Sequence, residues 1–550
     1  MRLPSPDRSS STRLRLASEP GHLTPTRRLR RLEVPRAVSG YAPVSAALAA
    51  ALVLCGCGSL PPPTNRSVSH AIEAPVNSPL RAGIDTLAAA HPTLTGIYPL
   101  KDGPGAFGAR VALINAAVSS VDVQYYIWHD DLTGRLMFDA LRRAAERGVR
   151  VRLLLDDLTT RGGLDQSLAA LMTFPGVEVR LFNPFKQRTL RSVGFLTDFS
   201  RLNRRMHNKS LTVDGVATVI GGRNIADEYF QAATDFGYVD LDVLAVGAAV
   251  PEVARSFDQF WRSDSAYPAG QLLEPASPQA AAQRAQMWES ARQEPAAARY
   301  AATVRSSQLV RDLASRELQL EWAAAHVVAD DAAKGLGKAA KGDELLHQFE
   351  QQLEHRIATE FLIVSPFFVP RTVGREMLLD LRQRGVKVKV LTNGAESADV
   401  AAAFAAYRSY RKSLLQGGVN LFELKHRGRG ETPAGEEGAD ESLHAKTIGI
   451  DRAQIFVGSF NFDPRSANLN TEIGLVIDSV ALATALSQAF QDVVPRVAYQ
   501  VELDHRGDLT WLDRAPGEGE PRVLGDEPGA GFWRRMWLGF LAILPIEGNL

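Results

Sequence analysis

Two short motifs in this chain bring together the residue types that phosphoryl chemistry uses. His207-Asn208-Lys209 is followed by Asp214, and His444-Ala445-Lys446 by Asp451, so both read H-x-K-x4-D. At the same interval each leads into a Gly/Ser-rich turn ending in asparagine, Gly221-Gly222-Arg223-Asn224 and Gly458-Ser459-Phe460-Asn461. A lone histidine is usually a satisfied core or surface residue. Two identical spacings with matching downstream turns point instead to a duplicated site. On a strand, H-x-K sends both side chains to one face, so two such strands brought together offer two imidazoles and two ammonium groups to one cavity.

Such a cavity suits a phosphodiester. Lys209 and Lys446 offset the negative charge that peaks in the five-coordinate transition state, and Asn224, Ser459 and Asn461 supply hydrogen bonds to the equatorial oxygens. One imidazole attacks phosphorus and the other, protonated, donates to the departing alkoxide, which leaves a phosphohistidine intermediate. Asp214 and Asp451 can hold the histidines in a usable tautomer; the other reading is that each simply closes the turn after its strand. The chemistry needs no cofactor and no metal, since two lysines beside the histidines repel a divalent cation.

The elements that position these residues are duplicated too. Gly148-Val149-Arg150-Val151-Arg152-Leu153 recurs as Gly385-Val386-Lys387-Val388-Lys389-Val390, displaced by 237 residues, the same interval that separates the two histidines. In each copy an apolar run (residues 121–128 and 361–369) precedes a helical pattern (134–147 and 374–384). A β-branched strand, a second helical stretch and a short strand (177–182 and 419–422) follow. Alternating strands and helices predict an α/β fold of two pseudo-twofold-related α/β/α sandwich halves with mostly parallel sheets and the active site at their interface. Residues 82–265 form the first half in this reading, 266–355 a helical connector rich in Ala, Gln, Arg and Glu, and 356–500 the second half. The Gly/Glu-rich stretch from Lys425 to Ser442 reads as a surface loop or a lid over the site.

With 550 residues, 45% of them hydrophobic, the chain can bury two sizeable cores. Its zero net charge hides a basic leader: residues 1–56 hold nine arginines against three acidic groups, which leaves the remainder at −6. An acidic body lacks the electrostatic footprint of a general nucleic-acid binder. The apolar run from Ala46 to Leu54 is too short to span a bilayer and ends in Leu54-Cys55-Gly56-Cys57. That ending resembles a bacterial lipobox, which implies a signal segment over 1–56 and acylation of Cys57 as the first mature residue. Residues 57–81, rich in Pro, Ser and Asn, read as a flexible tether. A lipid-anchored position in the cell envelope follows, on the periplasmic side, and Gly58 after the cysteine favours the outer membrane. Cys55 and Cys57 are the only cysteines, so a processed chain keeps no disulfide.

The paired motifs resemble those of the phospholipase D superfamily, over nearly everything from residue 85 onward. Within it the chain resembles bacterial cardiolipin synthases of the C type, through Val123-Gln124-Tyr125-Tyr126-Ile127-Trp128, the run Asn203 to Ser210, and Gly458 to Ser466 continuing to Asn470 and Glu472. Gly222 stands where the superfamily usually has serine, which leaves the phosphate contact there to Asn224 and backbone N–H groups. The motifs are nearly symmetric, so spacing alone does not order the histidines; the resemblance implies that His207 is the nucleophile and His444 the general acid, and that Glu472 belongs to the substrate site. It also implies transphosphatidylation onto phosphatidylglycerol to give cardiolipin, with phosphatidylethanolamine a candidate donor. A phospholipase D-type hydrolase or a nuclease would use the same residues with water as acceptor, and a non-catalytic lipid-binding lipoprotein would not need both motifs complete.

Two further features fit phospholipid substrates and a membrane. In the C-terminal region 501–550, Phe532, Trp533, Met536, Trp537, Phe540, Leu541 and Leu544 recur at helical spacing beside Arg534 and Arg535, as in an interfacial helix or a stripe capping the core. Ahead of the first motif, Lys186, Arg188, Arg191, Arg201, Arg204 and Arg205 form a basic cluster that suits lipid phosphates or a solvated face.

Overall fold

The computed structural model describes residues 60–541, apart from 61, 63–65, 74, 76–77, 233–235, 316–317, 341–343, 354–356, 399, 427–439, 515–519, 532–533, 535 and 539–540. Cys55 and Cys57, most of the Lys425–Ser442 loop, and Phe532, Trp533, Phe540 and Leu544 of the C-terminal stripe therefore lie outside the described residues.

Two large sheets carry the fold. The first is built from β1 (Thr95–Leu100), β2 (Ser120–Tyr125), β3 (Arg150–Asp156), β4 (Val177–Phe182), β5 (Ser210–Val213) and β6 (Ala217–Gly221), while β7 (Phe236–Val239) stands apart from it. With β8 (Asp242–Gly247), β9 (Ala266–Pro268) and β10 (Glu321–Ala323) it runs β10-β1-β8-β6-β5-β2-β3-β4-β9. The second comprises β11 (Ala325–Ala329), β12 (Glu360–Val364), β13 (Lys387–Asn393), β14 (Asn420–Leu424), β16 (Thr447–Ile450), β17 (Gln454–Gly458) and β18 (Ile473–Ile477), with β15 (Asp440–Leu443) again separate. Closed by β19 (Ala498–Leu503), β20 (Leu509–Asp513) and β21 (Arg522–Leu524), it runs β11-β18-β17-β16-β12-β13-β14-β19-β20-β21. The stretch β8-β6-β5-β2-β3-β4 is repeated, strand for strand, by β18-β17-β16-β12-β13-β14.

The sheets are mixed, which corrects the expectation of mostly parallel pairing. Only β2-β3-β4 and β12-β13-β14 run parallel; the other ladders of both sheets are antiparallel. The physical reason is the length of each connection. Helices Leu132–Glu146 and Arg371–Gln383 form crossovers that return the chain in the same direction. The strand after each H-x-K motif instead turns straight back, β5 into β6 and β16 into β17, and a tight turn admits only antiparallel pairing. Asp214 with Gly215, and Asp451 with Arg452, take positive φ of 52°, 65°, 51° and 55° in these turns, the left-handed region open to Gly and tolerated by Asp.

The segment 266–355 holds helices Pro278–Ala291, Pro295–Arg305 and Gln308–Ser315, and Trp288 stacks on Phe138 at 5.2 Å to anchor the first of them. It also carries β10 and β11, which edge one sheet and then the other, so it is more than a helical linker. Beyond residue 500, β20 and β21 extend the second sheet where a tail was expected. Of the C-terminal apolar stripe, Leu541 packs partly buried against the second core while Met536 and Trp537 are exposed; Leu538, outside the stripe, is buried in that core.

Each sheet has its own apolar core under its helices. A third cluster joins the halves, with Ile220, Val243 and Ala245 of the first sheet packed with Ile455, Val457, Ile473 and Leu475 of the second. The H-x-K strands adjoin that seam.

Candidate active site

Each imidazole is placed by backbone from the opposite half. Met206 bridges Thr471, after which His207 N–H donates to Thr471 C=O at 2.9 Å. In the other copy β15 pairs with β7, Leu443 opposite Val239, and His444 N–H donates to Val239 C=O at 2.8 Å. The next residue on each partner strand is an acid. His207 Nδ1 lies 2.8 Å from Glu472 Oε2, and His444 Nδ1 lies 2.6 Å from Asp240 Oδ2.

Asp240 and Glu472 occupy equivalent places. Gly221 pairs with Asp242 and Gly458 with Gly474, and each acid sits two residues before that partner. The loop preceding Asp240 is longer, so the constant interval of the repeat does not align it with Glu472. That drift hid Asp240 from a reading based on spacing; the signal that remained was an acid just ahead of the strand pairing with each Gly-rich turn.

Asp214 and Asp451 do not touch the histidines, which corrects their assignment as catalytic. Asp214 accepts from the backbone N–H groups of Val118, Ser119 and Ser120 at 2.8–3.0 Å, and Asp451 from those of Ala358, Thr359 and Glu360 at 2.7–2.9 Å. They tie each turn to the start of the neighbouring strand, and backbone hydrogen bonds overcome burial to hold the Asp451 carboxyl below its usual range. Their role is to fix the register that aims the H-x-K face.

Two residues expected at the substrate act on the histidine instead. The Ser459 hydroxyl donates to Glu472 Oε2 at 2.5 Å and accepts from Ile473 N–H at 3.0 Å, while Ser466 donates to Glu472 Oε1 at 2.7 Å. Glu472 is thus the orienting partner of His207. At the equivalent point of the first half, a Cβ on Gly222 would lie 2.1 Å from Asp240 Oδ1. The absence of serine there follows from the space the Asp240 carboxylate takes.

Each motif lysine lies against its own histidine. Lys209 Nζ donates to His207 C=O at 2.7 Å; Lys446 Nζ donates to His444 C=O and lies 2.9 Å from His444 Nδ1. Asn224 accepts from Ile127 N–H through Oδ1, which leaves its amide nitrogen as the donor end, and Asn461 is buried beside Ser466. Tyr126 sets its ring edge-on to His207 at 5.0 Å, and Tyr229 does the same to His444 at 5.0 Å. Both histidines are only 6% exposed.

Burial, then the ammonium groups of Lys209 and Lys446, hold the His207 imidazole well below its usual range, and burial with Lys446 lowers His444 to about 3. Each imidazole feels both lysines, as a single shared site requires. The two carboxylates differ. Burial pushes Glu472 up to about 7, against the pull of Lys209. Burial also acts to raise Asp240, but His444, Lys446 and Arg223 outweigh it and keep that carboxylate below its usual range.

The basic cluster ahead of the first motif turns inward. Arg188 pairs with Asp157 and Asp165, Arg191 donates to Asp157 C=O and Leu158 C=O, and Lys186 and Arg201 pair with Asp198. Arg205 lies 3.3 Å from Asp156, and Arg204 donates to Asn468 C=O across the seam. These groups brace the site and are committed to protein partners, which corrects their reading as lipid-phosphate ligands.

Comparison with known proteins gives a consistent family. The family described as "Cardiolipin synthase, PLD-like domain" matches residues 111–261 and 352–494. Cardiolipin synthase C of Escherichia coli strain K12 is 43% identical over 472 residues, which cover 85% of this chain and 99% of that protein. An uncharacterized protein of Helicobacter pylori strain J99 is 31% identical over 466 residues, 83% of this chain and 89% of that one. Among solved structures, phosphatidylserine synthase of Haemophilus influenzae Rd KW20 superimposes with a TM-score of 0.49 at 15% identity, covering 76% of this chain and 92% of that one.

Proposed function

The chain belongs to the phospholipase D-like domain family of the cardiolipin synthase type, and from that premise we propose that it is a phosphatidyltransferase forming cardiolipin from phosphatidylglycerol and a second phospholipid. The observation that carries this reading is the site itself: two buried imidazoles, each held at Nδ1 by a carboxylate from the other half, so that Nε2 of each is left for the reaction.

His207 Nε2 attacks the phosphorus of the donor while the bond to the head-group oxygen breaks, and His444, protonated, gives its proton to that oxygen. The phosphatidyl group is then on His207 and the head-group alcohol leaves. His444, now neutral, takes the proton from the terminal glycerol hydroxyl of phosphatidylglycerol, whose oxygen attacks phosphorus and releases His207. Lys209, Lys446, Asn224 and Asn461 meet the negative charge that gathers on the equatorial oxygens.

Burial and then the two lysines disfavour the protonated form of both imidazoles. An anionic phosphodiester offsets the two lysines, and the imidazole that then takes up a proton is the one beside the ionised carboxylate, Asp240. That supports His444 as acid and His207 as nucleophile.

Phosphatidylethanolamine as donor, acylation at Cys57 and a place on the periplasmic side of the outer membrane belong to the same proposal. Support for the anchor is the short apolar run ahead of Leu54-Cys55-Gly56-Cys57; no helix among the described residues is long and apolar enough to cross a membrane. The mass of the mature N-terminus tests it, and an unmodified Cys57 refutes it.

Purified protein given phosphatidylglycerol and phosphatidylethanolamine in mixed micelles is expected to form cardiolipin, read by mass spectrometry of the extracted lipids. An oriented lipid hydroxyl has a large effective concentration over water, so transfer should dominate. Phosphatidic acid as the main product at high phosphatidylglycerol would instead make the protein a phospholipase D-type hydrolase.

A further inference from the structure

Between β4 and β5 the chain makes two short helices, Arg191–Thr197 and Phe199–Leu202, with an inverted distribution of polarity. Leu190, Leu196 and Phe199 are 51%, 86% and 50% exposed, while the side chains of Arg188, Arg191 and Arg201 are at most 22% exposed and are committed to the carboxylates and carbonyls beneath them. Single exposed leucines are ordinary on protein surfaces. Three large apolar side chains within one short segment, above guanidinium groups folded under it, reverse the arrangement that water favours.

The inner side of the segment is apolar as well. Phe195 packs edge-on to Phe185 at 5.4 Å, and Gly194 lies against Leu202 and Phe185. The outer side presents Leu196 and Phe199 among the exposed Ser192, Thr197 and Ser200. Here only one side is covered by protein.

The segment is tied directly to the site. The side-chain amide of Asn183 donates to Arg201 C=O and Arg204 C=O at its end. The next residue, Asn203, accepts both Arg465 N–H groups of the second half at 2.8 and 2.9 Å, and three positions later Met206 bridges Thr471 to set His207.

We propose that the segment Leu190–Phe199 is the surface by which the protein enters a lipid bilayer beside its active site, with Leu190, Leu196 and Phe199 seated among acyl chains. The proposal rests on the phosphatidyltransferase reading, which requires that a phosphorus atom held in a bilayer reach an almost fully buried imidazole. A lipid interface is the occupant that both the exposed apolar side chains and the adjoining site call for.

Cys55 and Cys57 are the only cysteines, so full-length protein carrying Cys55→Ser, Cys57→Ser and Leu196→Cys has one thiol and no lipid anchor. A polarity-sensitive fluorophore on that thiol is expected to shift to the blue on adding phosphatidylglycerol vesicles and to be quenched by brominated acyl chains. The same label at Leu313→Cys, an exposed position on the helix Gln308–Ser315, should not respond. Leu190→Ser/Leu196→Ser/Phe199→Ser should lower turnover of vesicle phosphatidylglycerol by about tenfold or more, leaving melting temperature and turnover of dissolved dihexanoyl phosphatidylglycerol unchanged.

A label that stays in water while cardiolipin forms overturns this proposal and leaves the transferase reading intact. A vesicle-dependent shift in a protein that makes no cardiolipin does the reverse. A shift that needs no vesicles and grows with protein concentration assigns the patch to a second copy of the chain and overturns the proposal.

Discussion

The two imidazoles hold equivalent places in the duplicated halves, yet their surroundings differ in charge. Behind His207, Glu472 lies among further buried carboxyls: burial raises Asp330 to about 6 and Asp463 to about 7, and the nearby Lys334 is committed to Asp330 at 2.9 Å. Behind His444, Asp240 has Arg223 and Lys446 for company, and the adjacent Asp242 binds Arg110 at 2.9 Å and Arg223 at 3.3 Å. Duplication preserved the backbone crossing that delivers a carboxylate to each Nδ1. The charged groups around each crossing then diverged, so one carboxylate stays ionised beside its imidazole and the other holds its proton near neutrality. A symmetric frame thereby supports the two opposite roles that a displacement at phosphorus requires.

The sharpest test of this contrast uses a leaving group that needs no proton. His207→Ala is expected to abolish turnover of both natural phospholipid and a phosphatidyl nitrophenyl ester. His444→Ala should lose about 10²–10⁴ in rate on the natural lipid but keep a stoichiometric burst of nitrophenolate, visible by stopped flow. A burst from His207→Ala and none from His444→Ala would exchange the two roles.

The acids give the next largest effect. Asp240→Asn should lower turnover about 10²–10⁴-fold, because an amide cannot stabilise the imidazolium. Glu472 is already protonated below about pH 7, so Glu472→Gln should approach wild-type turnover at pH 6 and fall away above pH 7. Equal losses at both pH values would remove the asymmetry. Asp214→Asn, by contrast, should leave turnover intact and lower stability by about 2–3 kcal/mol, since it loses charge-assisted bonds to backbone N–H groups; chemical denaturation measures this.

The smallest effect concerns the buried carboxyls. Asp463 has a folded-state pKa raised from 3.8 to about 7, so folding binds its proton. Its contribution to stability is fully present below pH 3.8 and is lost as pH rises through about 7. Asparagine keeps the cap on Ser466 N–H without titrating. Asp463→Asn is therefore expected to melt about 2–4 °C above wild type at pH 8, with the gain vanishing towards pH 4. A constant difference across that range would show that Asp463 is ionised when folded.

Sequence by itself determined the repeat, the paired His and Lys residues, and the strand–helix–strand units ahead of each motif. These are local properties: periodicity, a β-branched run and a fixed spacing act over a few residues and survive duplication. The antiparallel returns at Asp214 and Asp451 were less legible, because a turn of a few residues carries little periodicity to read. Which acid serves which histidine was decided only in three dimensions. Asp240 reaches His444 from 204 positions away and Glu472 reaches His207 from 265, contacts made by the packing of one half on the other. The same holds for the arginines ahead of His207 and for Leu190, Leu196 and Phe199 above them. Composition shows that a segment holds both cations and apolar groups, but only the carboxylates waiting on the body beneath decide which of them turn inward.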